Sequence, residues 1–529
     1  MNISNLRPEL TSHLFQRIHS FQEGFRQNLA IIGPPGSGKT FQLQQLAEHK
    51  PGALGLIYCP LYRESCRSLL SRFASTILQA AMQSQENQSA NLDILLQRAE
   101  EVVPRMAIAG RMISELLTRR VYGEAFTRTL DLIPILIEER RQPCVLILDE
   151  FLLLEDLGLA HAFHEIGKRV MIWQSVLFIL ASSSPYRARM ILRERLHLLF
   201  GQFELMSLDE VGSENATAWL NRELRGLKGA RSISPFLVSW LGRYPWYLLA
   251  LLKRIRELAT LKQTVEVNAE VVIQALWDLL GSAEGTLHHW CASRIQGLNH
   301  LRGGTRAVEA LLQVAERSRS ATEIGKRIGR ADLSGALQLL VEQDLIERIG
   351  ACWRVEDPIL RCWLSSVLAR ERSVSHVQSS ESRLDIERYL QVLWSRWIQK
   401  EQLSLSQQMS ELFSKFNDDT ISLDSKTGRL PRFNSLTLQP AASSGMSHYL
   451  VAEGEGKRWC VGVHEGLIDE NAVANFEAFC KTQMPKPTRK VVITKEGLEQ
   501  NARLLAKTTN MWVWGAKELS VLMDLYGQT

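Results

Sequence analysis

Residues 33–40 read GPPGSGKT, set between the apolar run NLAII and the segment FQLQQL. Few short stretches limit a fold so tightly. Gly33, Gly36 and Gly38 free the backbone to turn its N–H groups toward one point, and a lysine and a hydroxyl residue follow at once. Such a loop needs a strand leading in and a helix leading out, because the first N–H groups of that helix complete the anion site. NLAII supplies the strand, and a helix is expected from Thr40. The pattern predicts an α/β fold in which a mostly parallel sheet presents a phosphate-cradling loop.

Length and composition set the outer bounds. A chain of 529 residues exceeds what one core holds and predicts about two to four domains. Apolar residues make up 45% and charged residues 22%, the mix of a globular protein. The formal charge of +5 permits a nucleic-acid partner without demanding one. Eight cysteines show no CxxC and no Cys/His pairing at zinc spacing, which predicts reduced thiols and neither disulfide nor structural metal. MNISNLRPEL is too polar for a signal segment, and no apolar run approaches a membrane span, so the expected place is the cytoplasm, away from membranes.

Periodicity predicts the organisation. A helix over 7–23 leads into NLAII, and a second strand is expected at ALGLIYCP, 53–60, then a helix over 65–82. QSQENQSA, 83–90, reads as a loop, and 91–140 as a helical insertion between strands. CVLILDEF and SVLFILASSS read as buried parallel strands. Beyond 225 the strand signal fades into helices up to 283, then a polar, glycine-containing stretch to 304. Residues 305–363 give three helices and a hairpin turning at Gly350, the order of a winged helix. ERSVSHVQSSESRL, 371–384, reads as a linker, and 385–529 as mixed α/β with strands at HYLVAEGE, RWCVGVHE and RKVVITK. The expected domains are therefore 1–230, 231–300 as a helical lid, 301–370 as the winged helix, and 385–529.

The chemistry follows from two motifs. In a loop of this kind Lys39 places a point charge on the β- and γ-phosphates, and the Thr40 hydroxyl faces Mg²⁺. Pro34, Pro35, Ser37 and Phe41 complete the expected nucleotide-contacting set. VLILDEF ends a strand in two acids, with Asp149 expected on the metal side and Glu150 as the base that polarises water. ATP and Mg²⁺ are the expected ligands. At the end of the next strand a serine falls between the two motifs, with Ser183 preferred over Ser182 as a γ-phosphate sensor. Arg187, Arg189, Arg193 or Arg195 could serve as a finger toward a neighbouring subunit in a nucleotide-dependent homo-oligomer. The fold class is accordingly an α/β P-loop NTPase with a helical insertion and lid, then a winged helix, then a mixed α/β domain.

The order RPEL, GPPGSGKT, IYCP, LILDEF, FILASSSP, LFGQFELMSLDEV and WLGRYPWYLLALL resembles the archaeal-type ATPases of the STAND branch of AAA+-related P-loop proteins. The resemblance implies that Pro245, in GRYP, lies against the nucleotide base. Arg243 stands where that family usually has glycine, and Gln202 where it commonly has arginine. ACWRVEDPILRCWL is similar to the block that closes the family's winged helix, and many members end in a restriction-endonuclease-like domain. Such a domain needs an acid on one strand and Glu-x-Lys on the next. Here Leu450 or Val451 holds the first place, and Gly462 and His464 the others, so the domain is expected to be nuclease-like and inactive. Glu453, Glu455 and Glu465 do not restore the spacing.

The third helix of the winged segment, about 332–343, carries no Lys or Arg, and 301–372 holds 12 basic against 10 acidic residues. That charge is thin for a nucleic-acid footprint, with Lys326, Arg327 and Arg330 left to touch phosphate. The expected function is an ATP-hydrolysing switch acting on a protein or nucleic-acid assembly, with defence or mobile-element roles suiting the resemblance. Two other readings stay open: a DNA-binding AAA+ ATPase of origin-recognition or transposition-regulator type, and an ATP-regulated nuclease.

Overall fold

A computed structural model describes residues 6–49, 54–82, 91–159, 161–194, 202–208, 213–242, 244–263, 266–316, 320–329, 332–369, 379–423, 426–441 and 445–526. The expected loop at 83–90, Arg195, Arg243 and Arg330 lie outside these residues, as do parts of the LFGQFELMSLDEV stretch. The chain divides into two compact units: 1–275 with 342–344, and 276–341 with 345–529.

In the first unit, helix α1 (Pro8–Gln22) precedes strand β1 (Asn28–Ile32), and α2 (Lys39–Glu48) leaves the glycine loop. Strand β2 (Gly55–Pro60) and α3 (Cys66–Met82) follow. The insertion is three helices: α4 (Leu92–Val102), α5 (Pro104–Thr118) and α6 (Tyr122–Arg140). Strand β3 (Cys144–Asp149) leads through α7 (Leu153–Asp156) and α8 (Ala162–Ile172) to β4 (Val176–Ser182) and α9 (Pro185–Glu194). Strand β5 (Phe203–Ser207) is an addition to the strands read from the sequence.

The five strands form one parallel sheet in the order β2-β3-β4-β1-β5. Its central strands are buried on both faces, as their unbroken apolar runs require. On one face Ile31, Ile147 and Ile179 pack with Leu14 and Ile18 of α1 and Leu43 of α2. On the other, Leu146 and Phe178 pack with Phe73 of α3 and Ile133 of α6, so the insertion is part of the core. Four helices follow: α10 (Ser213–Glu223), α11 (Ala230–Leu241), α12 (Pro245–Leu261) and α13 (Ala269–Leu276), with α12 and α13 inside the expected lid span of 231–300 and α11 starting at its edge.

The second unit opens with a π-helical turn at Trp277–Gly281, then α14 (Thr286–Asn299). This helix runs through the polar, glycine-containing stretch expected to reach residue 304. Leu287, Cys291, Ile295 and Leu298 recur on one buried face, and that face outweighs the polar residues between them. Helices α15 (Gly304–Glu316), α16 (Ala321–Ile328) and α17 (Ser334–Glu342) lead to the two-stranded ribbon β6 (Glu347–Ile349) and β7 (Cys352–Arg354), the winged-helix arrangement. Helix α18 (Pro358–Trp363) continues into a π-turn at Leu364–Leu368.

The expected linker is shorter than read, because α19 (Ser379–Gln402) begins inside it. Serines favour neither state strongly, and the helix is carried by later buried positions such as Ile386 and Leu390. Next come α20 (Leu405–Ser414), the hairpin β8 (Asp419–Leu423) and β9 (Lys426–Leu430), then β10 (Ser435–Pro440), β11 (His448–Gly454) and β12 (Lys457–His464). Helix α21 (Glu470–Thr482), β13 (Arg489–Thr494), α22 (Gln500–Thr508), β14 (Trp512–Trp514) and α23 (Ala516–Tyr526) end the chain. Strands β10 to β14 lie in that order, antiparallel across β10–β12 and parallel across β12–β14.

The wing shares this second core. Ile349 and Cys352 pack in one cluster with Phe416, Leu430 and Trp512, and Ala351 N–H donates to Thr420 O at 2.8 Å. Gly350 turns the ribbon at φ +67°, with Thr420 O 2.5 Å from where a Cβ would stand, so only glycine fits.

Candidate functional site

Strand β1 ends at Ile32 and the chain turns at Gly33, whose N–H donates to Ser182 O at the end of β4. A Cβ on Gly33 would stand 2.9 Å from Leu208 Cβ and 3.0 Å from Ser37 Oγ, which excludes a side chain. Gly36 and Gly38 take φ of +78° and +95°. Helix α2 starts directly after Gly38, with no side chain capping its first N–H groups. Those donors and the helix dipole are therefore left for an anion.

Lys39 is 3% exposed, and its ammonium donates to Gly33 O at 2.8 Å and Pro34 O at 3.0 Å. Burial pushes its pKa down to about 8, against the opposing pull of Glu150 and Asp149 and with a further push from Arg7. Ser37 is fully buried, Pro34, Pro35 and Phe41 are half-buried, and Thr40 is exposed on the first turn of α2.

The acids end β3, one strand removed from β1, because β4 lies between them. Asp149 is 2% exposed; its Oδ2 accepts from the Tyr58 hydroxyl at 3.1 Å, while Oδ1 is buried without a hydrogen-bond partner. Burial first, and then the Asp149 charge, push the Tyr58 phenol upward, so it stays a neutral donor. Glu150 sits at φ +60°, a costly position for a residue with a Cβ. Its carboxylate accepts from Ser183 N at 3.0 Å and from the Ser183 hydroxyl. Ser182 points elsewhere: it is fully buried, and its Oγ accepts from Ser184 N at 3.1 Å.

Helix α12 reaches the loop. Trp246 N donates to Gly36 O at 3.3 Å, and a Cβ on Gly36 would stand 3.3 Å from Trp246 Cβ. Pro245, the first residue of this helix, is buried beside Trp246. Of the arginines, Arg187 pairs with Glu155 and Asp156 within its own unit, while Arg189 and Arg193 are exposed on α9.

The donor set fits a nucleotide with a divalent cation. The left-handed glycines hold a cradle that side chains would fill, and the orphaned Asp149 Oδ1 offers a hard oxygen of the kind Mg²⁺ takes. Sequence reading placed the loop and the acids but missed Tyr58 and Trp246. The only signals for these two were an aromatic inside an apolar strand and one after a proline.

Fold and site together define a P-loop NTPase fold. No protein-family model and no curated protein matches the chain. Among solved structures, a Walker-type ATPase of Pyrococcus abyssi is similar at 14% identity, over 68% of this chain and 95% of that one, with a TM-score of 0.48. The ORC1 protein of Aeropyrum pernix, solved in complex with DNA, matches at 16% identity over 70% of this chain and 94% of its own, with a TM-score of 0.37. The RuvB Holliday junction branch migration motor of Thermotoga maritima matches at 13%, over 68% and 93%, with a TM-score of 0.33. Likenesses at this level assign no activity; what the chain can do is set by its own side chains. No helix among the described residues is long and apolar enough to cross a membrane.

Proposed function

We propose that the chain is an ATPase of AAA+ type that works as a molecular switch on a protein or nucleic-acid assembly. The observation that carries this is the glycine loop itself: Lys39 is buried in it with its ammonium on Gly33 O and Pro34 O, and the two acids follow at the end of β3 in the same sheet. ATP would lie with its phosphates on the loop, and Thr40 and Asp149 would hold Mg²⁺, which supplies charge neutralisation at the phosphates. Glu150 accepts the proton of the attacking water while the two Ser183 donors hold its carboxylate in place. The Trp246 contact passes the loop's state to α12 of the lid.

The reading is tested with a fluorescent ATP analogue and a phosphate-release assay. Lys39→Ala should lose nucleotide binding, and Glu150→Gln should bind ATP and hold it unhydrolysed. Hydrolysis by Glu150→Gln at the parental rate would remove Glu150 as the base.

A second reading, a DNA-binding AAA+ ATPase, is favoured by one feature of the winged helix. A cavity of about 990 Å³ between α16, α17 and the wing is flanked by Lys326 and Arg348, with Arg348 lying over the Trp353 ring. Binding to duplex DNA that weakens steeply with salt would support it. The nuclease reading is weakened by the setting of Gly462. A Cβ there would meet Phe476 and Met446 at 3.2–3.3 Å, an apolar position closed to a metal-binding carboxylate.

A further inference from the structure

Asp149 is nearly sealed from solvent, yet only one of its carboxylate oxygens has a partner. A buried acceptor left without a donor costs free energy, so its orientation needs a cause. Tyr58 provides one. Strands β2 and β3 run parallel, with Tyr58 opposite Ile147 and Pro60 opposite Asp149. Side chains two residues apart share a face, so the Tyr58 ring lies on the Asp149 side of the sheet. The offset is two residues, about 6.6 Å at the strand rise, close to the length of a tyrosine side chain. The hydroxyl accordingly ends 3.1 Å from Asp149 Oδ2. The bond stops the carboxylate from turning about its last torsion and leaves Oδ1 as the oxygen without a partner.

We infer that Tyr58 is a positioning residue for the metal-side acid, fixing Asp149 Oδ2 so that Oδ1 is presented to the divalent cation that enters with ATP. The inference rests on the nucleotide reading of the loop. A donor bonded to a ligating carboxylate orients it, and loss of such a donor typically weakens metal binding by about 10–100-fold. Tyr58 is 9% exposed and packed in the same apolar cluster as Ile147, so Tyr58→Phe keeps the packing and removes one oxygen.

The test uses the full chain with Mn²⁺ as probe, followed by electron paramagnetic resonance in the presence of a non-hydrolysable ATP analogue. The affinity of that analogue in EDTA is measured alongside. For Tyr58→Phe the expected result is Mn²⁺ affinity about tenfold weaker, with metal-free nucleotide affinity unchanged. In an Asp149→Asn background the same substitution should cost nothing further. Unchanged Mn²⁺ affinity in folded Tyr58→Phe overturns the inference, as does an equal loss with and without metal. If Tyr58→Phe does not fold, Tyr58→Leu rescued to parental Mn²⁺ affinity would overturn it, and a folded Tyr58→Leu with weakened Mn²⁺ alone would support it. Should the parental protein bind ATP with no dependence on metal, the nucleotide reading of Asp149 fails first, a result distinct from equal behaviour of parent and variant.

Discussion

Ser183 holds Glu150 at two points: its N–H donates to Oε2 at 3.0 Å, and its hydroxyl donates to Oε1. Both carboxylate oxygens of Glu150 are thus occupied by the residue that follows the neighbouring strand β4. On the proposed reading, in which Glu150 is the base and Ser183 the sensor, the pair acts as one unit and the losses should not add. Glu150→Gln should lower the hydrolysis rate about 100-fold or more, and Ser183→Ala about tenfold, near the loss of one charge-assisted hydrogen bond. The double variant should be no slower than Glu150→Gln alone. Single-turnover phosphate release from saturating ATP checks this, and additive losses in log rate would separate the two roles.

Lys39 carries a pH dependence whose sign is fixed by its surroundings. Burial lowers its pKa to about 8, and a polyphosphate beside it would raise that value. The bound state therefore takes up a proton wherever free Lys39 is neutral. ATP affinity should be flat below about pH 8 and then fall as pH rises, by at most about tenfold per pH unit. For stability the sign is opposite: the depressed pKa means that the charged ammonium opposes folding below pH 8. That opposition fades as pH rises from 8 toward 10.5, the ordinary value. Titrating a fluorescent ATP analogue across pH 7–9.5 tests the first claim. An affinity that stays constant to pH 9.5 would contradict a desolvated lysine at the phosphates.

The loop, its flanking strand and helix, and the acids at 149 and 150 were legible because each depends on local chemistry: glycine spacing, apolar runs and a strand ending in charge. β5 was not, since FELMS lies at the sheet edge with half-exposed side chains and lacks the apolar run that marks β3 and β4. Nor was the hairpin β8–β9, whose KTGRL strand is largely exposed. Tyr58 and Asp149 are 91 positions apart in sequence, and their bond exists only through the register of two parallel strands. Trp246 reaches the loop only because α12 is placed there by the lid. Relations set by tertiary register leave no periodic trace in a single sequence.

The C-terminal sheet makes its own prediction. If nuclease chemistry had been lost merely by one residue change, restoring the acid should begin to recover it. Gly462 instead faces Phe476 and Met446, so Gly462→Glu would overpack that face at a cost of about 1–3 kcal/mol. Burying the charge adds to this cost. The variant should melt several degrees lower and cleave neither DNA nor RNA with Mg²⁺ or Mn²⁺. Metal-dependent cleavage by either the parent or this variant would return the nuclease reading to first place.

Trp246 offers a direct view of the lid. Its backbone N–H bonds Gly36 O at 3.3 Å, and its Cβ and ring would be the nearest atoms to a Cβ on Gly36. A displacement of the loop by bound phosphate should strain this bond or move the indole. ATP should therefore change tryptophan emission, and most of that change should vanish in Trp246→Phe although 12 of the 13 tryptophans remain. Gly36→Ala should act from the other side. Its methyl would press on Trp246 at 3.3 Å and oppose the φ of +78°, so nucleotide affinity should fall about tenfold with little loss of fold. If Trp246→Phe leaves the emission change intact, the signal arises elsewhere and α12 does not read the loop. If Gly36→Ala binds ATP normally, the contact is packing alone, and the coupling of nucleotide to lid must run through another element.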